Sequence, residues 1–174
     1  MNNTKYITIL RHAVYCLLFL ILYVVQTVPG LFVIRGIKPI WVIPAAIALA
    51  MFEGEFIGGI YGAAAGLLCD IGGFLLFGFN GFLTCVYCIA VGLLVIYLMR
   101  CNMLGCMMFV FIFMLLRGSL EFLFLYGMWG YDDVWRIYVN QTLPTVLFST
   151  LISPIVFYSM RGVFRRFERV LKDQ

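Results

Sequence analysis

A carboxylate at position 70, an arginine and a glutamate four apart at 117 and 121, the pair Cys85-Val-Tyr-Cys88 and a single histidine, His12, are the side chains whose types and spacing suggest chemistry. Asp70 closes a series in which Gly58, Gly62 and Gly66 precede it at intervals of four. At about 3.6 residues per turn these positions share one helix face, which carries three bare positions and then one acid. A bare stripe lets a second helix approach backbone to backbone, within the molecule or from a partner. The acid would cost about 2.5–3.5 kcal/mol near a bilayer centre, so it needs a partner, water or a function. The alternatives for Asp70 are a ligand or proton site, a partner contact, and an anchor for exposed turn amides around Gly72 and Gly73. The anchor is favoured, because a carboxylate just before two glycines can satisfy such amides.

Arg117 and Glu121 share a helix face and should point inward, paired with each other or reaching Asp70 or another protein's helix. Cys85 and Cys88 have the spacing of a redox or zinc motif, but neither a basic residue nor a second ligand pair stands nearby in the sequence. With Cys16, Cys69, Cys101 and Cys106 they are expected to pack as small hydrophobes. His12, without neighbouring carboxylates, reads as an interfacial side chain, and the sequence holds no phosphate loop, HExxH or nucleophile elbow. A non-enzymatic protein with no cofactor and no metal is the expectation.

The elements that must position these residues are membrane helices. A chain of 174 residues that is 64% hydrophobic and 11% charged, with a mean hydropathy of +1.06, carries more apolar surface than a soluble core can hide. The fold class is therefore all-α integral membrane protein, a single domain. Apolar stretches at 13–28, 40–52, 56–71, 82–99, 103–126 and 139–160 give a six-helix transmembrane bundle. Stretch 40–52 holds Pro44 and would rise only about 20 Å against a hydrocarbon core of about 30 Å, so a re-entrant course is the alternative to a full crossing.

Seven of the twelve basic residues lie at Lys5, Arg11 and in the tail 161–174, at Arg161, Arg165, Arg166, Arg169 and Lys172. The positive-inside rule then places both termini in the cytoplasm, with Arg100 on the same side and only Arg35, Lys38 and Arg136 outside. Six spans satisfy that parity. The run 13–28 is longer than a signal-peptide core and lacks a small-x-small cleavage site, so it is read as the first span. The net charge of +4 points to anionic lipids more than to nucleic acid. The tail alternates cations with Val163, Phe164, Phe167, Val170 and Leu171, a basic amphipathic pattern expected on the inner leaflet, with a cytoplasmic protein as the alternative contact. Outer loops are expected at 29–39, 72–81 and 127–138; the second is glycine-broken and packed on the bundle, and the third sets interfacial aromatics around Asp132 and Asp133.

The combination resembles the rod shape-determining protein MreD family. The matching residues are a basic residue before span one, the exit Gln26-Thr27-Val28-Pro29, Lys38-Pro39 entering a short second span, the stripe Gly58, Gly62, Gly66-Leu-Leu-x-Asp70, and Gly78. Ile40 stands where an acidic residue often follows the proline. The resemblance implies a fold similar to the substrate-binding S-components of energy-coupling-factor transporters, in a bacterial cytoplasmic membrane. It also implies a non-catalytic scaffold that pairs with MreC and stands beside RodA, its transpeptidase partner and MreB, supporting lateral peptidoglycan synthesis. The rival is an S-component that captures a vitamin from outside, with Asp70, Asn80, Asp132, Asp133, Asn140 and Gln141 available to line a pocket. That class usually carries an Ala-xxx-Ala pattern in span one, where this chain has Ala13 followed by Leu17. An accessory subunit of another transporter or of a lipid-modifying complex is a third possibility.

Overall fold

The computed structural model describes residues 2–28, 38–71, 77–99, 101–124 and 138–172, with side chains described for 6–170 of these. The expected outer loops, including Arg35, Gly72, Gly73, Trp129, Asp132, Asp133 and Arg136, fall largely outside the described residues, as does Arg100. Among the described residues the chain is helical: α1 (Asn2–Thr27), α2 (Val42–Glu53), α3 (Glu55–Ile71), α4 (Phe79–Tyr97), α5 (Met103–Phe122), a π-helical turn (Tyr138–Thr142) and α6 (Leu143–Lys172).

Among the described residues, four segments are long and apolar enough to cross a membrane: Tyr6–Thr27, Phe79–Tyr97, Met103–Phe122 and Tyr138–Val170. The protein is a multi-pass helical membrane protein. α2 has 12 residues and α3 has 17, rising about 18 and 26 Å. The six apolar stretches thus correspond to four long helices and two shorter ones.

α2 is the centre of the bundle. Every residue from Val42 to Met51 is buried, as expected of a helix that is apolar all round. Its alanines at 45, 46, 48 and 50 are all inaccessible to solvent and keep it slim enough for several neighbours to reach it. Pro44 sits in the first turn, where a missing N–H breaks no intrahelical bond. The exposed amides of that turn are met from two other helices. The Trp41 and Val42 N–H groups donate to Gln26 Oε1 on α1 at 3.0 and 3.4 Å, and the Ile40 N–H donates to Ser149 Oγ on α6 at 3.0 Å.

Gly54 alone joins α2 to α3, with φ of +88°, a conformation that disfavours any side chain. At this end Arg11 pairs with Glu53 at 3.0 Å, and the Tyr15 hydroxyl donates to the same carboxylate at 2.7 Å. His12 stacks on Tyr61 with ring centroids 6.0 Å apart. Phe52 stacks on Phe164 of α6 at 5.4 Å. The N-terminal half of α1 and the C-terminal half of α6 therefore flank one and the same turn.

The basic amphipathic tail is a direct extension of the last described helix. Residues 161–172 continue α6 without a break, making a helix of 30 residues. A backbone ladder propagates regardless of side-chain polarity, so the hydropathy boundary at Met160 leaves no mark on it. Val163 packs against the core and Phe164 against Phe52, so part of its apolar face rests on protein. Arg165, Arg166 and Arg169 are exposed and Arg161 is half-buried, while Lys172 closes the helix.

Candidate functional site: a buried polar network beside a cavity

The glycine stripe forms an internal seam. A Cβ on Gly58 would lie 2.5 Å from the Cβ of Ala50 on α2, and one on Gly62 would lie 2.9 Å from both the Cys88 Cβ and the Thr84 carbonyl oxygen on α4. One on Gly66 would overlap the Asn80 carbonyl and sit 2.6 Å from the Gly81 Cα. Real side-chain carbons do not come so near, so three helices touch through their backbones at these points. α4 answers with bare positions of its own: a Cβ on Gly92 would meet the backbone of Glu55 at 2.6 Å. Of the two uses expected for Gly58, Gly62 and Gly66, the structure shows packing within the chain.

Sequence reasoning missed the matching stripe on α4. Thr84, Cys88 and Gly92 are small residues four apart and all buried, the same spacing in less obvious residues. Cys88 belongs to that stripe, and its Sγ fills the space above Gly62. All six cysteines are unbridged, and burial pushes the Cys101 thiol, between α4 and α5, above its ordinary value.

Asp70 lies where the seam ends, 6% exposed. Its carboxylate accepts from the backbone N–H of Gly78 at 2.9 Å, of Asn80 at 3.3 Å and of Gly81 at 3.2 Å, and from the Asn80 side-chain amide at 2.8 Å. Gly78, with φ of +96°, is the residue that opens α4. The acid on α3 thus serves as the N-terminal cap of α4, against the positive end of that helix's dipole. The anchor role matches the sequence-based reading in kind, but its partners are the first turn of α4; Gly72 and Gly73 lie outside the described residues.

The network continues. Asn80 Oδ1 accepts from Arg117 Nε at 2.7 Å, and Arg117 Nη2 reaches Glu121 Oε1 at 3.3 Å. Both sequence-based readings of Arg117 hold a part of this geometry: it pairs with Glu121 on its own helix, and it communicates with Asp70 through Asn80 rather than directly. One chain of polar groups, Asp70, Asn80, Arg117 and Glu121, ties α3, α4 and α5 together. The side chain of Arg117 is 10% exposed and that of Glu121 31%. Such a network is stable in an apolar surrounding only because each member has partners.

A cavity of about 450 Å³ lies beside this chain, between α1, α3, α5 and α6, with Arg117 and Glu121 in its wall. Of the six polar residues expected to line a pocket, Gln141 is in the wall, whereas Asp70 and Asn80 are turned into the network. Asn140 is exposed, and Asp132 and Asp133 are outside the described residues. Gln26, Lys38 and Thr145 are wall residues that sequence reasoning did not place in a pocket. Among the described residues no cluster of His, Cys, Asp and Glu has the arrangement of a metal site. No family model, no curated protein and no solved structure matches this chain.

Proposed function

We propose that the protein is a non-enzymatic scaffold of the MreD kind, a subunit of the bacterial cell-elongation machinery. It pairs with MreC and stands beside RodA, its transpeptidase partner and MreB in the cytoplasmic membrane. In this reading six helices cross, with both termini cytoplasmic and the exposed cations of α6 on inner-leaflet anionic lipid. The observation that carries the reading is that the residues of the resemblance form one structural unit. Gln26 caps α2, Gly58, Gly62 and Gly66 make the seam, Asp70 caps α4, and Gly78 opens that helix. Residues engaged in this way fix the shape of a body, which is what a docking partner requires. Orientation is supported by the basic residues on both flanks of the Gly54 turn. Depletion from a rod-shaped cell should produce rounding, and MreC should co-purify with the intact protein. A cell that keeps its shape after depletion would refute the proposal.

A second reading, capture of a vitamin as an S-component, is favoured by the cavity beside Arg117. Depletion would then leave shape intact and create a vitamin requirement.

A further inference from the structure

The cavity has a chemical bias. Its volume of about 450 Å³ falls within the range of small-molecule sites, about 300–1,000 Å³. A guanidinium offers five N–H donors, and Arg117 commits its Nε to Asn80 and one donor of Nη2 to Glu121. The remainder have no described acceptor, on a side chain that is nine-tenths buried in the cavity wall. Gln26 uses its oxygen on the amides of Trp41 and Val42. Its NH₂ is left with only Cys69 Sγ at 4.0 Å, a weak contact. Lys38 adds a cation at the rim, with no ion pair among the described residues. The one carboxylate among the described wall residues, Glu121, already has an oxygen engaged.

The unspent groups are therefore mostly donors, and the charge of the described wall residues, two cations against one anion, is positive. Leu68, Met114 and Val146 supply apolar surface beside them. A cation would be repelled twice, and a neutral alkyl compound would leave the arginine donors without acceptors, at a cost comparable to losing those bonds. We infer that the cavity binds an amphiphile with one anionic head, a carboxylate or phosphate, held by Arg117, Gln26 and Lys38, and an apolar body against Leu68, Met114 and Val146. The inference concerns occupancy of the cavity and holds under either functional reading.

The test uses the full chain purified in a neutral detergent. Decanoate and decyl phosphate are titrated against decanol and decyltrimethylammonium, with binding read by calorimetry. The anions should bind saturably at one per chain, and the neutral and cationic compounds should not. Lys38→Gln, at an exposed rim position, should weaken anion binding about two- to fivefold. Glu121→Gln should tighten it by about threefold or more, because it removes a like charge and frees an arginine donor. The opposite signs matter, since general damage to the fold would weaken binding in both variants. Arg117→Gln is avoided as the deciding variant because Arg117 also holds Asn80. Native mass spectrometry then separates the sources. An anionic phospholipid retained at one per chain and depleted in Lys38→Gln assigns the head to lipid; delipidated protein that binds the alkyl anions but no added phosphatidylglycerol assigns it to a soluble compound. Decanol binding as tightly as decanoate, or affinities unmoved by both variants, would overturn the inference.

Discussion

The α2–α3–α4 half of the molecule and the α1–α5–α6 half solve the same packing problem differently. In the first, glycine, alanine, threonine and cysteine let backbones meet directly, and the single acid at the end of the seam is fully hydrogen-bonded. In the second, Gly118 of α5 meets a side chain, the Thr142 methyl, rather than backbone, and the cavity beside Arg117 opens between these helices and the end of α3. In lipid, where burying apolar area gives little drive, close backbone contact and polar bonds hold helices together. The first half has both at full density. The cavity beside Arg117 lies outside that seam.

The comparison can be broken most directly in the seam. Gly66→Leu should prevent recovery of a monodisperse protein in detergent, because even a Cβ at that position overlaps the Asn80 carbonyl; a well-folded Gly66→Leu protein would show that the seam is not the rigid half. In the cavity half a one-carbon enlargement, Val146→Leu, should cost less than about 1.5 kcal/mol by its thermal midpoint against the parent, since the side chain borders open space.

Asp70→Asn should be next in size. An amide offers one acceptor oxygen where the carboxylate offers two, and it sets N–H groups against the α4 amides, for a loss of about 3–5 kcal/mol. If its thermal midpoint matched that of the parent, the cap would have no energetic weight. Gln26→Leu should cost about 1–3 kcal/mol by leaving the Trp41 and Val42 amides unsatisfied. Gln26→Glu, which keeps the acceptor, should recover most of that loss, and equal midpoints for the two would exclude capping as the cause. At the small end, Cys85→Ala should stay within about 0.5 kcal/mol of the parent and leave MreC co-purification unchanged, whereas a loss of complex would give that thiol a role that packing does not.

How much of this was legible depended on whether the signal was periodic. The stripe at 58, 62 and 66 and the acid at 70 could be read because four-residue spacing maps directly onto a helix face. The shortness of α2 could be read from the length of its apolar run. The matching stripe on α4 was harder, since Thr84 and Cys88 count as small only once their neighbour is known to be bare. Asp70's partners on α4 were not legible, because packing against the next helix brings up its first turn while sequence proximity points to Gly72 and Gly73, which lie outside the described residues. The Arg11–Glu53 pair and the Ser149 contact with Ile40 join distant residues with no repeating pattern. Nothing local announces them. The continuity of α6 through Met160 was not legible either, since hydropathy marks a change of environment and the hydrogen-bond ladder ignores it.

The wrapped position of α2 has a consequence for biogenesis. A helix of 12 residues is too short to cross a bilayer of about 30 Å unaided, and the Ile40 amide before it waits for a hydroxyl that lies 109 residues further along the chain. During synthesis this segment must therefore remain sheltered, by the insertion apparatus or by α1, until the last helix emerges. The cap on α2 is complete only when α6, Leu143–Lys172, has been made, and truncated chains ending before Ser149 should be targets for membrane proteolysis.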